Sequence, residues 1–153
     1  MNHPAELAIF EYLGKAVKGE TDMAEDIRKQ VAADVEAALE KQFSSGPRDK
    51  FRLRMSNIGR PTCQLWFDKN KPETALPKPT TFVMNMMIGD IVESVFKAIL
   101  KESNVAFEDT DKVSLSVGDS NDTNVSGSYD LVIDGAVDDV KSASDWSYRN
   151  KFE

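Results

Sequence analysis

Apolar residues recur along this chain with two different periods, and the change of period separates helical from extended stretches. Met23, Ile27, Val31, Val35, Leu39 and Phe43 return at every fourth position, which predicts one long amphipathic helix. Thr21 or Asp22 caps its start, with Glu25 at capping-box spacing, and Ser44-Ser45-Gly46-Pro47 ends it. A shorter helix over 4–18 precedes it, opened by Pro4. These helices form an N-terminal arm, residues 1–47, ahead of a main domain over 48–153. Within that domain residues 51–58 are mixed and extended, Pro61 opens a short helix through Trp66-Phe67, and Lys69 to Pro79 is a proline-punctuated loop. Thr80 or Thr81 caps a strong helix from Phe82 to about Lys101, with Met84, Ile88, Ile91, Val95 and Ile99 on its apolar face. The period then drops to two. Val113, Leu115 and Val117 alternate with serines as in a half-buried strand, Gly118–Asn124 is a polar loop, and strands follow over 127–133 and 136–141. Helix, strand, strand, strand predicts an α/β domain whose sheet starts antiparallel.

The last two strands flank Asp134-Gly135, a strong signal for a two-residue hairpin, because a type I′ turn needs φ > 0 at both central residues. Ile133 then faces Ala136 and, counting outward, Asp130 faces Asp139, with Cβ atoms about 4.5–5.5 Å apart. Lys141, two residues beyond Asp139, projects from the same face. Like charges opposed on a sheet destabilise it unless something positive lies between them. Lys141 is one candidate and a divalent cation is the other; Mg²⁺ binds one or two protein carboxylates and keeps water and phosphate oxygens in its remaining positions. An Asp-Asp-Lys cluster of this kind suits metal-assisted phosphodiester hydrolysis. The plain alternative is a surface hairpin with solvated acids, Lys141 merely offsetting their charge.

Gly89, inside the strong helix, carries a cost of about 1 kcal/mol relative to alanine. A close approach of the helix to the sheet accounts for it and would let Glu93, four residues on, reach the cation; a rim carboxylate in solvent is the alternative.

Composition narrows the field. The 153 residues suit one domain of ordinary size, and 41% hydrophobic with 29% charged residues is a globular composition. No apolar run approaches the roughly 20 residues that span a bilayer. Nothing at the N-terminus resembles a secretory signal, so a cytoplasmic location is expected. Cys63 is the only cysteine, which excludes an internal disulfide and disfavours a thiolate metal cluster; it reads as a small buried residue. His3, the only histidine, lies at the terminus, which argues against histidine-based general acid–base catalysis. Net charge is −7, but it is uneven: residues 1–81 hold 13 basic and 12 acidic side chains, residues 82–153 hold 6 and 14. Arg48, Lys50, Arg52, Arg54 and Arg60 make a basic strip next to this acidic half. Arg52, Arg54 and Arg60 fit phosphate contacts and serve equally well as solvated surface. Met84, Met86 and Met87 read as core filling, and Trp66 and Trp146 as core packing before base stacking.

Three segments together resemble the RecB-like, phage exonuclease branch of the PD-(D/E)xK nuclease superfamily. They are Arg54-Met-Ser-Asn-Ile-Gly-Arg-Pro-Thr-Cys-Gln-Leu-Trp66, Gly89-Asp-Ile-Val-Glu93, and Gly127-Ser-Tyr-Asp130 followed by Asp139-Val-Lys141, covering about residues 52–149. The resemblance implies a restriction-endonuclease-like α-β-β-β core with a mixed sheet. It implies metal binding by Glu93, Asp130, Asp139 and the Val140 backbone carbonyl, with Lys141 catalytic beside Asp130 and Asp139. Ser56 joins Arg52, Arg54 and Arg60 as a candidate nucleic-acid contact. It further implies Mg²⁺, with Mn²⁺ able to substitute, and hydrolysis of DNA in viral replication, recombination or repair, in the host cytoplasm. A single cysteine departs from relatives that carry an iron–sulfur cluster. The family continues past the lysine into a helix and a further strand, whereas this sequence reaches Glu153 as that helix begins at Asp145-Trp-Ser-Tyr-Arg. The sequence is then a truncated form, the product of a split gene, or a chain whose fold a second chain or self-association completes. The competing functions are a non-catalytic nucleic-acid-binding or assembly subunit and a phage structural or adaptor protein with no site.

Overall fold

The structure, a computed structural model, describes residues 3–43, 51–116, 124–141 and 149–150. It is a mixed α/β protein: α1 (Pro4–Val17), α2 (Glu25–Phe43), α3 (Thr62–Asn70), α4 (Thr80–Glu102), then β1 (Glu108–Ser116), β2 (Asn124–Ile133) and β3 (Ala136–Asp138). Single 3₁₀ turns lie at Met55–Asn57 and Pro72–Thr74. The strands form an antiparallel sheet in chain order, with β2 in the middle. Val117, the 118–123 loop, Arg48, Lys50, the Ser44–Pro47 stop, Trp146 and the start of the helix expected at Asp145 lie outside the described residues.

The core is small. Ala5 of α1, Leu100 of α4, and Leu131 and Ile133 of β2 are buried together, ringed by Ile9, Phe96, Val105, Phe107 and Val140. The N-terminal helices thus pack onto the rest: α1 contributes to this core and α2 lies along α4. Polar contacts tie α2 to α4. Ser94 Oγ donates to Asp34 Oδ2 at 2.8 Å, and Lys41 Nζ meets Asp90 Oδ2 at 2.9 Å.

Several expectations are corrected by this packing. The every-fourth-residue stripe of α2 drifts around the helix, because four residues overshoot a 3.6-residue turn by about 40°. Met23 to Val35 are therefore half-buried while Leu39 and Phe43 are exposed. On α4 the buried positions are Ser94, Ala98 and Leu100, and the apolar stripe is left partly open, with Met84, Ile88 and Val95 exposed. α2 lies along the helix and Leu100 packs with Leu131 and Ile133 of β2, and of the apolar stripe Ile91 and Ile99 are half-buried. Met86 and Cys63 are exposed too. Val113 and Leu115 are 49% and 56% exposed rather than half-buried.

The helix starts differ in detail. His3 caps α1, its Nδ1 accepting from Ala5 N at 3.2 Å. Thr80 and Thr81 lie inside α4, with Pro79 at the cap position. α2 begins at Glu25, past Thr21 and Asp22, and the amide of Ala24 donates to Glu102 Oε1 of α4 at 2.7 Å. A carboxylate 78 residues away thus does the work expected of a local cap.

Candidate functional site

The hairpin forms as its turn chemistry dictates. Asp134 and Gly135 have φ of 50° and 76°, and Ile133 pairs with Ala136, Val132 with Val137 and Leu131 with Asp138. One step further along this register lie Asp130 and Asp139. Here β3 ends, short of the 141 expected from sequence, and the cause is Asp130. In an antiparallel ladder hydrogen-bonded pairs alternate, so the bonded pairs next to the turn predict Val140 N–H to Tyr129. Instead Val140 N donates to Asp130 Oδ2 at 2.8 Å, and the strand peels away over Asp139–Lys141.

Three expected site residues meet at this exit. Asp130 and Asp139 stand within hydrogen-bonding reach of each other, and Lys141 Nζ contacts Asp139 Oδ1 at 2.5 Å. Burial pushes the Asp130 carboxyl above the ordinary Asp range; the N–H of Val140 opposes this, and Asp139 and Glu93 reinforce it. The hydrogen bond from Lys141 holds Asp139 below that range, against its partial burial. The two carboxyls are thus pushed in opposite directions, Asp130 up and Asp139 down. The same bond to Asp139 holds the Lys141 ammonium above the usual lysine value.

Glu93 lies close enough to act electrostatically on Asp130 and Lys141, but its carboxylate engages Lys97, whose Nζ lies 2.7 Å from Glu93 Oε1 and 2.6 Å from Asp109 Oδ1. Burial works against the Lys97 charge, and the hydrogen bonds to Asp109 and Glu93 outweigh it, so its pKa is raised. The Glu93–Lys97 spacing was readable as a helical i,i+4 pair. The glycine argument fails at Gly89, where an added Cβ would meet nothing within 4 Å. The close approach occurs instead at Gly127, where a Cβ would lie 2.7 Å from Met55 Cγ.

Two further residues join the neighbourhood unannounced by sequence. Asp138 Oδ2 is buried with no hydrogen-bond partner among the described residues, while its Oδ1 lies 3.4 Å from His3 Nε2. Both line a cavity of about 480 Å³ between α1, α4 and the hairpin, whose rim includes Asp139, Val140 and Lys141. Only the meeting of chain ends in space reveals this, since His3 and Asp138 are 135 residues apart.

The donors suit a hard cation: two carboxylates side by side, one with its proton affinity raised by burial and by its neighbours' charge. Among the described residues no group of three His, Cys, Asp or Glu side chains converges as a metal cage. The Asp130–Asp139 pair with water in the remaining positions is within what Mg²⁺ accepts. The contact that Val140 makes here is through its N–H.

The four candidate nucleic-acid contacts come together elsewhere. Arg52, Arg54, Ser56 and Arg60 all line one cleft of about 720 Å³. No helix among the described residues is long and apolar enough to cross a membrane. No family model, curated protein or solved structure matches this chain.

Proposed function

We propose that this chain is a metal-dependent DNA nuclease of the PD-(D/E)xK type, hydrolysing phosphodiester bonds at the exit of the β2–β3 hairpin. The observation that carries this reading is the opposed Asp130–Asp139 pair with Lys141 attached to it. Mg²⁺, or Mn²⁺ in its place, would be held by Asp130 and Asp139, with Glu93 nearby, and would supply a Lewis acid for the phosphate and a bound water of lowered pKa. Lys141 stays an ammonium across the working pH range, because Asp139 raises its pKa. It therefore acts as a fixed positive donor towards charge developing on phosphate oxygen, not as the base that removes a proton. At Asp130, whose carboxyl sits above the ordinary Asp range, protons and a cation would compete for the same oxygens.

Incubation of linear single- and double-stranded DNA with Mg²⁺ or Mn²⁺ tests this directly. Degradation that EDTA stops and Lys141→Ala abolishes is the expected result. Absence of cleavage, together with no Mn²⁺-dependent melting shift that Asp139→Ala removes, would overturn it.

A second reading is favoured by the open apolar face of α4, where Met84, Ile88 and Val95 are exposed: an assembly or nucleic-acid-binding subunit completed by another chain or a second copy. A monodisperse, cooperatively melting monomer in light scattering would count against it.

A further inference from the structure

Two clefts outside the acidic site share the same wall. The first, described above, is lined by Arg52, Arg54, Arg60 and Lys69. The second, of about 750 Å³, is lined by Arg52 and Arg54 again, with Lys41 of α2, Lys112 of β1 and Tyr129 of β2. Because Arg52, Arg54 and Ser56 line both, the two clefts adjoin across the 51–57 segment. Among the described lining residues, six cations face it against the single carboxylate of Asp68. This concentration stands out on a chain of net charge −7. Lys41 arrives with Asp90 as its partner, 2.9 Å away, and Arg52, Arg54 and Lys112 have partners of their own.

The path has a fixed place on the sheet. β1 pairs along one edge of β2 from Asn124 to Val132, so β3 and the 53–54 segment must share the other edge. β3 occupies it at Leu131–Ile133; Leu53 and Arg54 occupy it at Ser126, whose amide donates to Leu53 O at 3.1 Å. Met55 closes over Gly127, where any side chain would collide with it. The arginines are thus held on backbone locked to the strand that carries Asp130. From Ser126 to Asp130 is four residues, about 13 Å along a strand.

We propose that this basic path is a binding track for single-stranded nucleic acid, laid along the side of β2 that the 53–54 segment and β3 share and leading to the Asp130–Asp139 pair. The chemistry is a row of cations that follows a phosphate backbone, with Tyr129 in the wall as a surface for a base to stack on. Each cleft has room for about one or two nucleotides at a time, which suits a splayed single strand. The contacts are to phosphate and π-face, so binding is insensitive to sequence. The proposal rests on the nuclease reading for the destination of the track, but binding itself needs no metal.

Fluorescence anisotropy of a labelled oligo-dT in EDTA tests it, over a series of salt concentrations. Single-strand binding falls with salt by a slope of about −0.7 per phosphate neutralised, so Arg52→Gln with Arg54→Gln flattens the slope by about 1.4 and weakens binding. Lys18→Gln with Lys101→Gln, an equal charge change outside the clefts, leaves the slope in place. Equal losses in the two double variants, tighter binding of duplex than of single strand, or equal displacement by polyglutamate would each overturn the track. Binding with this pattern but neither cleavage nor a Mn²⁺-dependent melting shift supports the track while removing the nuclease reading. Cleavage that persists unchanged in Arg52→Gln/Arg54→Gln does the reverse.

Discussion

Replacing Asp130 with asparagine should make the metal-free protein more stable. Asparagine keeps an oxygen to accept the Val140 N–H, so the local clasp survives while the charge facing Asp139 disappears. Across a directly opposed pair at about 5 Å, two unit charges repel by about 3 kcal/mol at an effective dielectric near 20, and by about 1 kcal/mol in water-like surroundings. Asp139 is exposed and already paired with Lys141, so the lower figure applies. For a chain of this size about 1 kcal/mol raises Tm by roughly 2–4 °C. The pH dependence has a definite sign. The pKa of Asp130 is raised in the folded protein, so its contribution to stability is present below the ordinary Asp value and lost as pH rises through the folded value. The gain of Asp130→Asn over wild type should therefore open as pH climbs out of the carboxylate range and close in acid. Differential scanning calorimetry in EDTA from pH 3 to 8 reads both. In Mn²⁺ the order should invert, because wild type gains a bound cation and the variant does not. A clear fall in Tm for Asp130→Asn in EDTA at neutral pH would refute the reasoning, because it would make the carboxylate a stabilising clasp and not one of an opposed pair.

Other substitutions probe other parts of the fold. Gly127→Ala should cost about 1–3 kcal/mol by overpacking against Met55, and Met55→Ala should recover much of it in a double-mutant cycle of melting curves. Leu131→Ala and Leu100→Ala, each emptying a fully buried position in a very small core, should cost about 2–5 kcal/mol in denaturant titrations. Lys141→Met should reduce the stability lost on acidification, since Asp139, whose pKa is lowered by Lys141, contributes above its unfolded value and loses that contribution as pH falls through the folded one. The effect is small, because both side chains are exposed.

What was legible in the chain was what neighbouring residues decide. Asp134-Gly135 fixes a turn whose φ values leave one register open to the flanking strands, so the pairing as far as Leu131–Asp138, one step short of Asp130 and Asp139, followed from counting. Helices α1, α3 and α4 followed from prolines and apolar periodicity. What failed was decided across the molecule. The wheel of α4 picks out its apolar stripe, but the helix turns Ser94 and Ala98 inward because α2 offers Asp34 as a hydrogen-bond partner. Gly89 obeys the local rule for a helix glycine and meets nothing, whereas Gly127 is required only because Met55, 72 residues earlier, folds over it. The length of β3 was misjudged because a side chain, Asp130, takes a backbone donor that alternation assigns to the ladder. The basic clefts join residues of α2, β1, β2 and the 51–60 segment, which no single window contains.

The bond from the Ala24 amide to Glu102 bears on how the molecule opens. Helix ends ordinarily fray alone, and their first amides exchange with solvent at little cost. Here the first turn of α2 is fastened to the last turn of α4, and the side-by-side contacts of Asp34 and Lys41 continue the seam towards the other end. The two helices are then expected to open as a single cooperative unit, with deuterium reaching the Ala24 amide only when α4 loosens, although that stretch of chain contributes nothing to the buried cluster around Leu100 and Leu131.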